Sequence, residues 1–392
     1  MTLGGAALAL RAYAATLARA ARLRDRAALE AWQERRLQAW LRDRAGVARL
    51  SDLPPMDRAG LMADFAACNR LRLTVEAATA IAEGRAPRPA GHHVGLSTGT
   101  TSGQRMPYVI SEAERFVWLG TILAKSLGAD ALRRPRVAVA LPRGSALYDA
   151  AGEGRALPLC FVPLGEGFAA AHARLKAFRP DVLIAPPRLL HWLAVQGPAL
   201  APRRIFAAAE ILDPPDRAAI AAGFPRARLG EIYMATEGLF AVTCRHGRLH
   251  LAEDCLRFDL EPAGDGTSEA VITDFTRQAQ VMARYRTGDL LRVVPCSCGS
   301  PLRAVVVAGR ASDRIGGRAP DTLRDALLVS GVTDFRLVQQ GEAEPLLTLP
   351  PGEETAGPRA ALEALLQRPV RVETRPLTLP EDGKLRRIMR TP

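Results

Sequence analysis

Lysine is scarce in this chain. Among 392 residues, 53 side chains are basic, only three of these are lysines, and the formal net charge is +12. The arginines are scattered and no RNA- or DNA-binding motif accompanies them, so we attribute the charge to a GC-rich coding sequence and exclude nucleic acid as a partner. Its field would still attract anions such as ATP or CoA. Each of Lys125, Lys176 and Lys384 is a candidate for chemistry that a guanidinium cannot perform.

Long uncharged runs and internal repeats are also lacking. From about residue 6 to residue 44 the chain mixes Ala, Leu and Arg without a run of about 18 uncharged residues or a small-residue cleavage site. We therefore expect two solvated helices there, no membrane span and a cytoplasmic location. The cysteines at positions 68, 160, 244, 255, 296 and 298 are expected to be buried or to bind metal, because disulfide frameworks are unusual in large intracellular chains.

A loop rich in hydroxyls and glycines follows this region. Glycines permit positive φ, so backbone N–H groups and hydroxyls can converge on a phosphate whose charge an arginine offsets. The loop is not a Walker motif, since no Gly-Lys-Ser/Thr follows at the required spacing. A flexible surface loop is the alternative. The candidate phosphate-binding residues are Ser97, Thr98, Gly99, Thr100, Thr101, Ser102, Gly103 and Arg105.

Strand and helix patterns alternate after this loop. Ser111 and Glu114 form a capping-box pattern that predicts a helix directly downstream. Short apolar runs then alternate with helical stretches, which predicts a mainly parallel, doubly wound α/β core. The predicted strands span residues 137–141, 159–162, 181–185 and 205–209, and the predicted helices span 169–178, 188–194 and 216–222.

The predicted pattern of secondary structure changes towards the C-terminus. Closely spaced strands and turns over residues 230–307 predict an antiparallel β layer on the core. Helical patterns at 322–328 and 358–366, with strand patterns at 335–339, 345–349 and 370–374, predict a small α+β lid. The expected regions are a helical lead-in over residues 1–90, a core domain over 91–311 and a mobile lid over 312–392.

Five short motifs stand in order along the chain: residues 97–103, 233–238 (YMATEG), 285–290 (YRTGDL), 309–313 (GRASD) and 379–387 (LPEDGKLRR). In this order they resemble the motifs of the acyl-adenylate-forming superfamily. Within that superfamily the chain resembles most the phenylacetate–CoA ligases and related adenylate-forming enzymes, through its short length, residues 57–69, Ala208-Ala-Glu210 and a late Cys-x-Cys-Gly. The resemblance covers nearly the whole chain, from Leu53 to Arg390.

The resemblance implies AMP-forming activation of a carboxylic acid. Mg·ATP and an aryl or small acyl acid would give an acyl-adenylate, and the acyl group would pass to CoA or another thiol. Two alternatives stay open: adenylyl transfer onto a non-carboxylate hydroxyl, and a non-catalytic, zinc-stapled nucleotide-binding protein. The acid, the acceptor and the oligomeric state, including a homodimer, are also open. Trp118, Phe116 and Tyr108 could line an acid pocket, with core packing as the alternative.

Roles for single residues follow from the resemblance. Tyr233 would pack on adenine, Thr236 would contact the α-phosphate and Glu237 would coordinate Mg²⁺, so that Thr236 and Glu237 count as catalytic. Asp289 would accept hydrogen bonds from the ribose hydroxyls. Glu210 belongs to the same predicted nucleotide site.

The lid side of the site has its own candidates. Arg310 would reach the nucleotide, and Ser312 or Asp313 would be the hinge of the lid. Lys384 is the predicted catalytic lysine, because a mobile ammonium can stabilise the charge that develops when a carboxylate attacks the α-phosphate. An ordinary surface lysine is the alternative, which the Gly-Lys-x-x-Arg spacing and the scarcity of lysine disfavour.

Cysteines and histidines predict a second site. Cys296 and Cys298 form a tight thiol pair, and Cys244 with the nearby imidazoles completes four N/S ligands, enough for tetrahedral coordination. Relatives with a comparable arrangement imply structural zinc on Cys244, His250, Cys296 and Cys298, with His246 as the alternative imidazole. Free buried cysteines are the other interpretation. Such a closed zinc site would staple the antiparallel layer and would not be catalytic.

Overall fold

The computed structural model describes residues 3–43, 47–97, 105–141, 157–197, 199–377 and 386–391. These residues belong to two units. One comprises Met1–Phe258, Ile272–Tyr285 and Pro295–Ala304, and the other comprises Asp259–Val271, Arg286–Val294 and Val305–Pro392. The boundaries expected after residue 90, between the helical lead-in and the core domain, and after residue 311, between the core domain and the lid, stay a prediction.

The first unit begins with helices that polar residues cap. Asp25 and Thr74 accept hydrogen bonds from the first turns of α2 and α5, which satisfies backbone donors that have no partner within the helix. The two helices expected near the N-terminus are present. No helix within the described ranges is both long enough and apolar enough to cross a membrane. The helices are α1 Leu3–Arg22, α2 Arg26–Arg42, α3 Arg58–Ala63, α4 Phe65–Cys68 and α5 Val75–Ala82.

An antiparallel hairpin and a long helix come next. Strands β1 His92–Leu96 and β2 Pro107–Ser111 pair with each other, and α6 Glu112–Leu127 follows at once. The predicted capping box is present at the start of α6. Helix α6 packs closely on α1 at Gly120. A Cβ added there would lie only 2.1 Å from the carbonyl oxygen of Ala9, so the close packing requires glycine.

A sheet of seven strands forms the centre of the first unit. Its order is β9-β8-β7-β6-β5-β3-β4; strands β3 to β7 are parallel, and β8 and β9 add antiparallel pairs. The predicted strands and helices are confirmed, with ends that differ by one or two residues. The elements are β3 Val137–Leu141, β4 Leu159–Pro163, α7 Phe168–Phe178, β5 Val182–Ala185, α8 Pro187–Val195, β6 Arg204–Ala208, α9 Pro214–Gly223, β7 Arg228–Ala235, β8 Gly238–Thr243 and β9 Leu249–Leu251.

Both faces of this sheet are covered, as in a doubly wound fold. Side chains alternate along a strand, so Val137 and Val139 pack in the same apolar cluster as Leu127 of α6. Ala138, between them, packs in another cluster with Leu189 of α8. The predicted doubly wound α/β core is confirmed.

Four neighbouring strands, in the order β10-β11-β12-β13, have most of their residues in the second unit. Strands β10 and β11 are joined by Asp265 and Gly266, whose φ angles of 55° and 67° suit a two-residue hairpin, and such short connections join antiparallel strands. The bounds are β10 Leu256–Gly264, β11 Thr267–Asp274, β12 Tyr285–Val294 and β13 Ala304–Arg310.

The same unit ends in a small α+β region, as predicted. Its strands have the order β16-β15-β14-β17, and its core contains Leu323, Leu337, Leu347 and Leu362. Strand β17 was not predicted; it runs parallel to β14. The elements are α10 Pro320–Val329, β14 Arg336–Gln340, β15 Leu346–Leu349, α11 Ala356–Leu366, β16 Arg371–Thr374 and β17 Ile388–Thr391.

Candidate functional site

The predicted phosphate loop connects β1 to β2. At its base the Ser97 N–H donates to the Met106 carbonyl (2.7 Å), and the Met106 N–H donates to Ser97 Oγ (3.0 Å). Arg105 donates from Nε to the Ser97 carbonyl (2.8 Å) and from Nη2 to the Leu96 carbonyl (3.2 Å). The guanidinium therefore holds the base of the loop. Residues 98–104, which include Thr98, Gly99, Thr100, Thr101, Ser102 and Gly103, lie outside the described residues.

The turn between β7 and β8 carries the second predicted motif. Thr236 Oγ1 donates to one carboxylate oxygen of Glu237 (3.0 Å), and the Tyr285 hydroxyl donates to the other (3.2 Å). Tyr233, near the end of β7, meets Phe240 edge to face at 5.0 Å between ring centroids. The structure thus gathers a carboxylate and two hydroxyls at one turn.

Arg277 holds this turn, and sequence analysis missed it. Its side chain is buried, at 6% exposure. Nη1 donates to the carbonyls of Thr236 (2.9 Å) and Glu237 (3.3 Å), while Nη2 donates to the carbonyl of Val109 in β2 (3.0 Å). One guanidinium therefore joins the Thr236–Glu237 turn to the hairpin that carries the phosphate loop. In a chain so rich in arginine, residue type alone gave no signal for it.

Glu210 is paired inside the first unit. It follows β6 after Ala209, a non-glycine residue with φ of 69°. Its carboxylate lies 3.0 Å from the Arg188 guanidinium of α8, and the two side chains are 3% and 0% exposed. Burial of a charged pair is tolerated because each charge neutralises the other. The ion pair with Arg188 explains why the Glu210 carboxylate can be buried. A role of Glu210 in nucleotide binding stays a prediction.

A cavity of about 270 Å³ lies among α1, α2 and α6. Trp118 lines it together with Trp32, Arg36 and other side chains. The two other aromatic candidates for an acid pocket, Tyr108 and Phe116, are 3% and 1% exposed and belong to the core. Both side chains are thus packed in the core, and an acid pocket that they would line stays a prediction.

Two predicted nucleotide contacts meet in the second unit. Arg310 Nη1, at the end of β13, lies 2.7 Å from Asp289 Oδ1 in β12. Gly288 suits this turn, since its φ is 72°, and an added Cβ would crowd the guanidinium at 3.1 Å from Arg310 Nη2. Thr287 Oγ1 accepts from the Asp289 N–H (3.1 Å) and donates to the Ala270 carbonyl (3.0 Å). The Asp289 carboxylate is therefore held in a defined orientation.

The predicted hinge is a short 3₁₀ turn, Ala311–Asp313. Asp313 is buried at 4% exposure, and its carboxylate accepts from the Arg386 guanidinium and from the Arg390 N–H at 3.4 Å. These contacts join the turn to the end of the same unit. Lys384, the predicted catalytic lysine, lies outside the described residues.

Four predicted metal ligands lie together in the first unit. The ligand atoms of Cys244, His250, Cys296 and Cys298 are all within 4.8 Å of one another. Cys244 Sγ lies 3.7 Å from Cys296 Sγ, and Cys298 Sγ lies 3.5 Å from His250 Nε2. The β8–β9 hairpin supplies one thiol and the imidazole, and the connection between β12 and β13 supplies the other two thiols. Two thiols on one side and a thiol with an imidazole on the other are a donor set that suits zinc.

Hydrogen bonds distinguish the two candidate imidazoles. His250 Nδ1 lies 2.7 Å from the Leu302 carbonyl, which can only accept, so the proton is on Nδ1 and the Nε2 lone pair is directed at the thiols. Burial lowers the pKa of His250, which favours the neutral, ligating form. His246 instead contacts Ser297 Oγ through Nδ1 (3.1 Å). Among the described residues the cluster therefore contains His250 and not His246.

Burial alone would raise the pKa of Cys244. Hydrogen bonds to its sulfur from backbone N–H groups, including that of His246 at 3.3 Å, and from the Cys296 and Cys298 thiols together outweigh this effect and hold the pKa below the usual thiol value. A lowered pKa favours the thiolate, which is the form that binds metal.

Comparison with known proteins gives matches among solved structures only. No family model and no curated protein matches the chain. A 2-hydroxyisobutyryl-CoA ligase in the postadenylation state, in complex with 2-HIB-AMP, matches with a TM-score of 0.64 at 19% identity, over 92% of this chain and 88% of that chain. A benzoate CoA ligase from Burkholderia xenovorans LB400 matches with a TM-score of 0.55 at 15% identity, over 77% and 69%. The chain has the fold of the acyl-adenylate-forming ligases.

A third match supports the same fold. An anthranilate CoA ligase in complex with anthranoyl-AMP matches with a TM-score of 0.53 at 14% identity, over 74% of this chain and 65% of that chain. The order of the five motifs predicted the fold of the acyl-adenylate-forming enzymes, and these structural matches confirm that fold. At these identities the likeness concerns the fold, and the roles of the site residues stay predictions.

The described part of the predicted site falls into separate groups. Thr236 and Glu237 meet at one turn with Tyr285, and Asp289 meets Arg310 in the other unit. Tyr285 belongs to a predicted motif, but its contact with Glu237 was not predicted.

Proposed function

We propose that this protein is an ATP-dependent, AMP-forming ligase that activates a carboxylic acid as an acyl-adenylate and transfers the acyl group to CoA or another thiol. The main support is the turn that presents Thr236 and Glu237 while Arg277 ties it to the phosphate-loop hairpin. The fold agrees, because proteins that share it have been solved with 2-HIB-AMP and anthranoyl-AMP.

The residues of the turn suit a magnesium–phosphate complex. Mg²⁺ prefers carboxylate oxygens, and the Glu237 carboxylate is presented at the turn with two hydroxyls beside it. A bound Mg²⁺ would offset phosphate charge. Thr236 Oγ1 would donate to the α-phosphate after leaving its present bond to Glu237. Tyr285 would keep the carboxylate in place.

The reaction consists of two displacements. A carboxylate oxygen of the acid attacks the α-phosphorus, the bond from this phosphorus to the bridging oxygen breaks, and pyrophosphate leaves. The thiol sulfur then attacks the acyl carbon, the bond from that carbon to the AMP oxygen breaks, and the thiol proton passes to solvent. In the first step Lys384 would stabilise charge on the phosphate and on the acyl oxygen.

The finer class is a phenylacetate–CoA ligase-like enzyme that takes an aryl or small acyl acid. Ligases of the same fold include one for benzoate, one for anthranilate and one for 2-hydroxyisobutyrate. We accordingly place aryl acids and small hydroxy acids first among the candidates.

We also propose that Cys244, His250, Cys296 and Cys298 hold a structural zinc ion. Three thiols and one imidazole with a free Nε2 lone pair match the preference of zinc for four N/S ligands. All four positions are taken by protein atoms, which leaves no place for a substrate. The ion would fasten the β8–β9 hairpin to the connection between β12 and β13.

The test is pyrophosphate release from Mg·ATP with a panel of acids: benzoate, phenylacetate, anthranilate, 2-hydroxyisobutyrate and hexanoate. We expect release that depends on one chemical group of acids, on Mg²⁺ and on Glu237, with a thioester formed when CoA is added. Glu237→Gln serves as the matched variant. ATP binding without release for any acid would favour the non-catalytic protein, and release without a thioester would favour a hydroxyl acceptor.

A further inference from the structure

A clamp joins the predicted catalytic turn to the phosphate-loop hairpin. The Arg277 guanidinium donates to the carbonyls of Thr236 and Glu237 on one side and to the carbonyl of Val109 on the other. A guanidinium is planar and its donors have a fixed geometry, so three acceptors bound to it cannot shift independently. The two turn carbonyls belong to the residues whose side chains are proposed to act on Mg·ATP.

The segment that carries Arg277 is anchored by other bonds. Gln280 Oε1 accepts from the Val109 N–H (2.8 Å), and Glu114 Oε1 accepts from the Ala279 N–H (2.9 Å). The other oxygen of Glu114 accepts from the Ser111 N–H at the start of α6 (2.7 Å). Removal of the guanidinium therefore breaks its bonds to the two turn carbonyls and to the Val109 carbonyl, while Gln280 and Glu114 keep the segment attached to β2 and α6.

We propose that Arg277 is a positioning residue for adenylation, which sets the Thr236–Glu237 turn in register with the β1–β2 hairpin. The inference rests on the proposed function, because it concerns how that site is aligned. These three bonds of the guanidinium all go to backbone carbonyls, so the proposed role is exerted through the turn. A displacement of about 1 Å at reacting groups can cost roughly a hundredfold in rate.

The experiment compares Arg277→Met, Arg277→Lys and the matched variant Arg204→Met. Arg204 also donates to a backbone carbonyl, that of Ser126 (2.8 Å), and pairs with Asp130, so its loss removes a similar bond without touching the turn. Four quantities are measured: kcat for pyrophosphate release, KM for the acid, the Mg²⁺ concentration at half-maximal rate, and the thermal midpoint.

We expect Arg277→Met to lower kcat at least tenfold and to raise the Mg²⁺ requirement several-fold, with KM for the acid within about twofold of wild type. Arg277→Lys should lie between wild type and Arg277→Met, because an ammonium keeps the charge and some donors but not the fork. Arg204→Met should keep the wild-type kcat and Mg²⁺ dependence.

Three outcomes separate this inference from the proposed function. An Arg277→Met enzyme with the kcat and Mg²⁺ requirement of Arg204→Met would overturn the positioning role while leaving the ligase intact. If Arg277→Met loses its fold, Arg277→Lys decides by the same two quantities. If wild type releases no pyrophosphate with any acid, the ligase proposal fails; calorimetry with Mg·ATP then decides, and equal affinity in wild type and Arg277→Lys would overturn the role.

Discussion

Asp289 and Arg310 were predicted to contact the nucleotide separately, and the structure joins their side chains in an ion pair. The pair and the Gly288 turn orient the carboxylate before any ligand arrives. An oriented acceptor loses little conformational freedom on binding, which favours affinity for the ribose hydroxyls.

Asp289→Ala should weaken ATP binding by about one to two orders of magnitude, because hydrogen bonds to a charged group contribute about 1.5–3 kcal/mol. Isothermal calorimetry with Mg·ATP measures the change. Glu261→Ala is the control, since it removes another carboxylate that pairs with an arginine, Arg286, in the same unit. Unchanged ATP affinity in Asp289→Ala would sink the ribose assignment.

Lys125 shows that a rare residue type can have a structural role. It lies in α6, and its Nζ is 2.5 Å from Asp254 Oδ1, with both side chains largely buried. Burial alone would lower the pKa of Lys125 and raise that of Asp254, but mutual attraction moves both pKa values the other way. The contribution of Asp254 to stability is therefore complete above its ordinary pKa of 3.8 and is lost as pH falls through the lower folded value.

Asp254→Asn should lower the free energy of unfolding at pH 7 by about 3–5 kcal/mol, since it leaves a buried ammonium without its partner. The loss should shrink as pH falls below the ordinary carboxyl pKa, where wild type loses the same interaction. Denaturant unfolding between pH 3 and pH 7 measures both effects. Equal losses in Asp254→Asn and in the double variant Lys125→Met/Asp254→Asn would contradict the pairing.

Among the elements, the β8–β9 hairpin and the connection between β12 and β13 meet through short contacts among Cys244, His250, Cys296 and Cys298. A metal ion bound by both elements would add to the folding stability of the chain, because it would bind the folded state alone.

One zinc ion per chain is expected in protein purified without chelator, and Cys298→Ser should lose it and lower the thermal midpoint. Elemental analysis and thermal unfolding measure the two effects. Cys160→Ser is the matched control, since Cys160 lies in β4 and outside the cluster. Wild-type protein free of zinc would remove the assignment.

At the scale of the whole molecule, the proposed reaction needs two different arrangements of the chain. Adenylation requires a cation at the α-phosphate. Thiol transfer requires that the thiol can reach the acyl carbon that is bonded to this phosphate through oxygen. We propose that the lid brings Lys384 to the site for the first step and removes it for the second.

Lys384→Ala should therefore lower pyrophosphate release by about 10²–10³-fold and spare thioester formation from synthetic acyl-adenylate and CoA. Both half-reactions are measured in wild type, in Lys384→Ala and in Lys176→Ala, which removes an exposed lysine of α7. Equal losses in the two half-reactions would contradict an alternating lid. No loss in the first would make Lys384 an ordinary surface residue.

Most helices and strands could be predicted from the local pattern of apolar and polar residues. Strand Val137–Leu141 has the bounds that its apolar run predicts, because spacing along the chain decides which side chains share a face. Strand β17 was missed, since Ile388–Thr391 is short and half polar and becomes a strand by pairing with β14.

The sequence by itself determined the α/β class, the order of the motifs and a short list of candidate metal ligands, because these depend on residue types at short spacing. Only the tertiary structure decided that His250 faces the thiols, that Asp289 pairs with Arg310 and that Arg277 clamps the Thr236–Glu237 turn. Arg277 and Val109 are 168 positions apart, and an arginine becomes distinct from the many others only when the fold brings particular carbonyls within reach of its guanidinium.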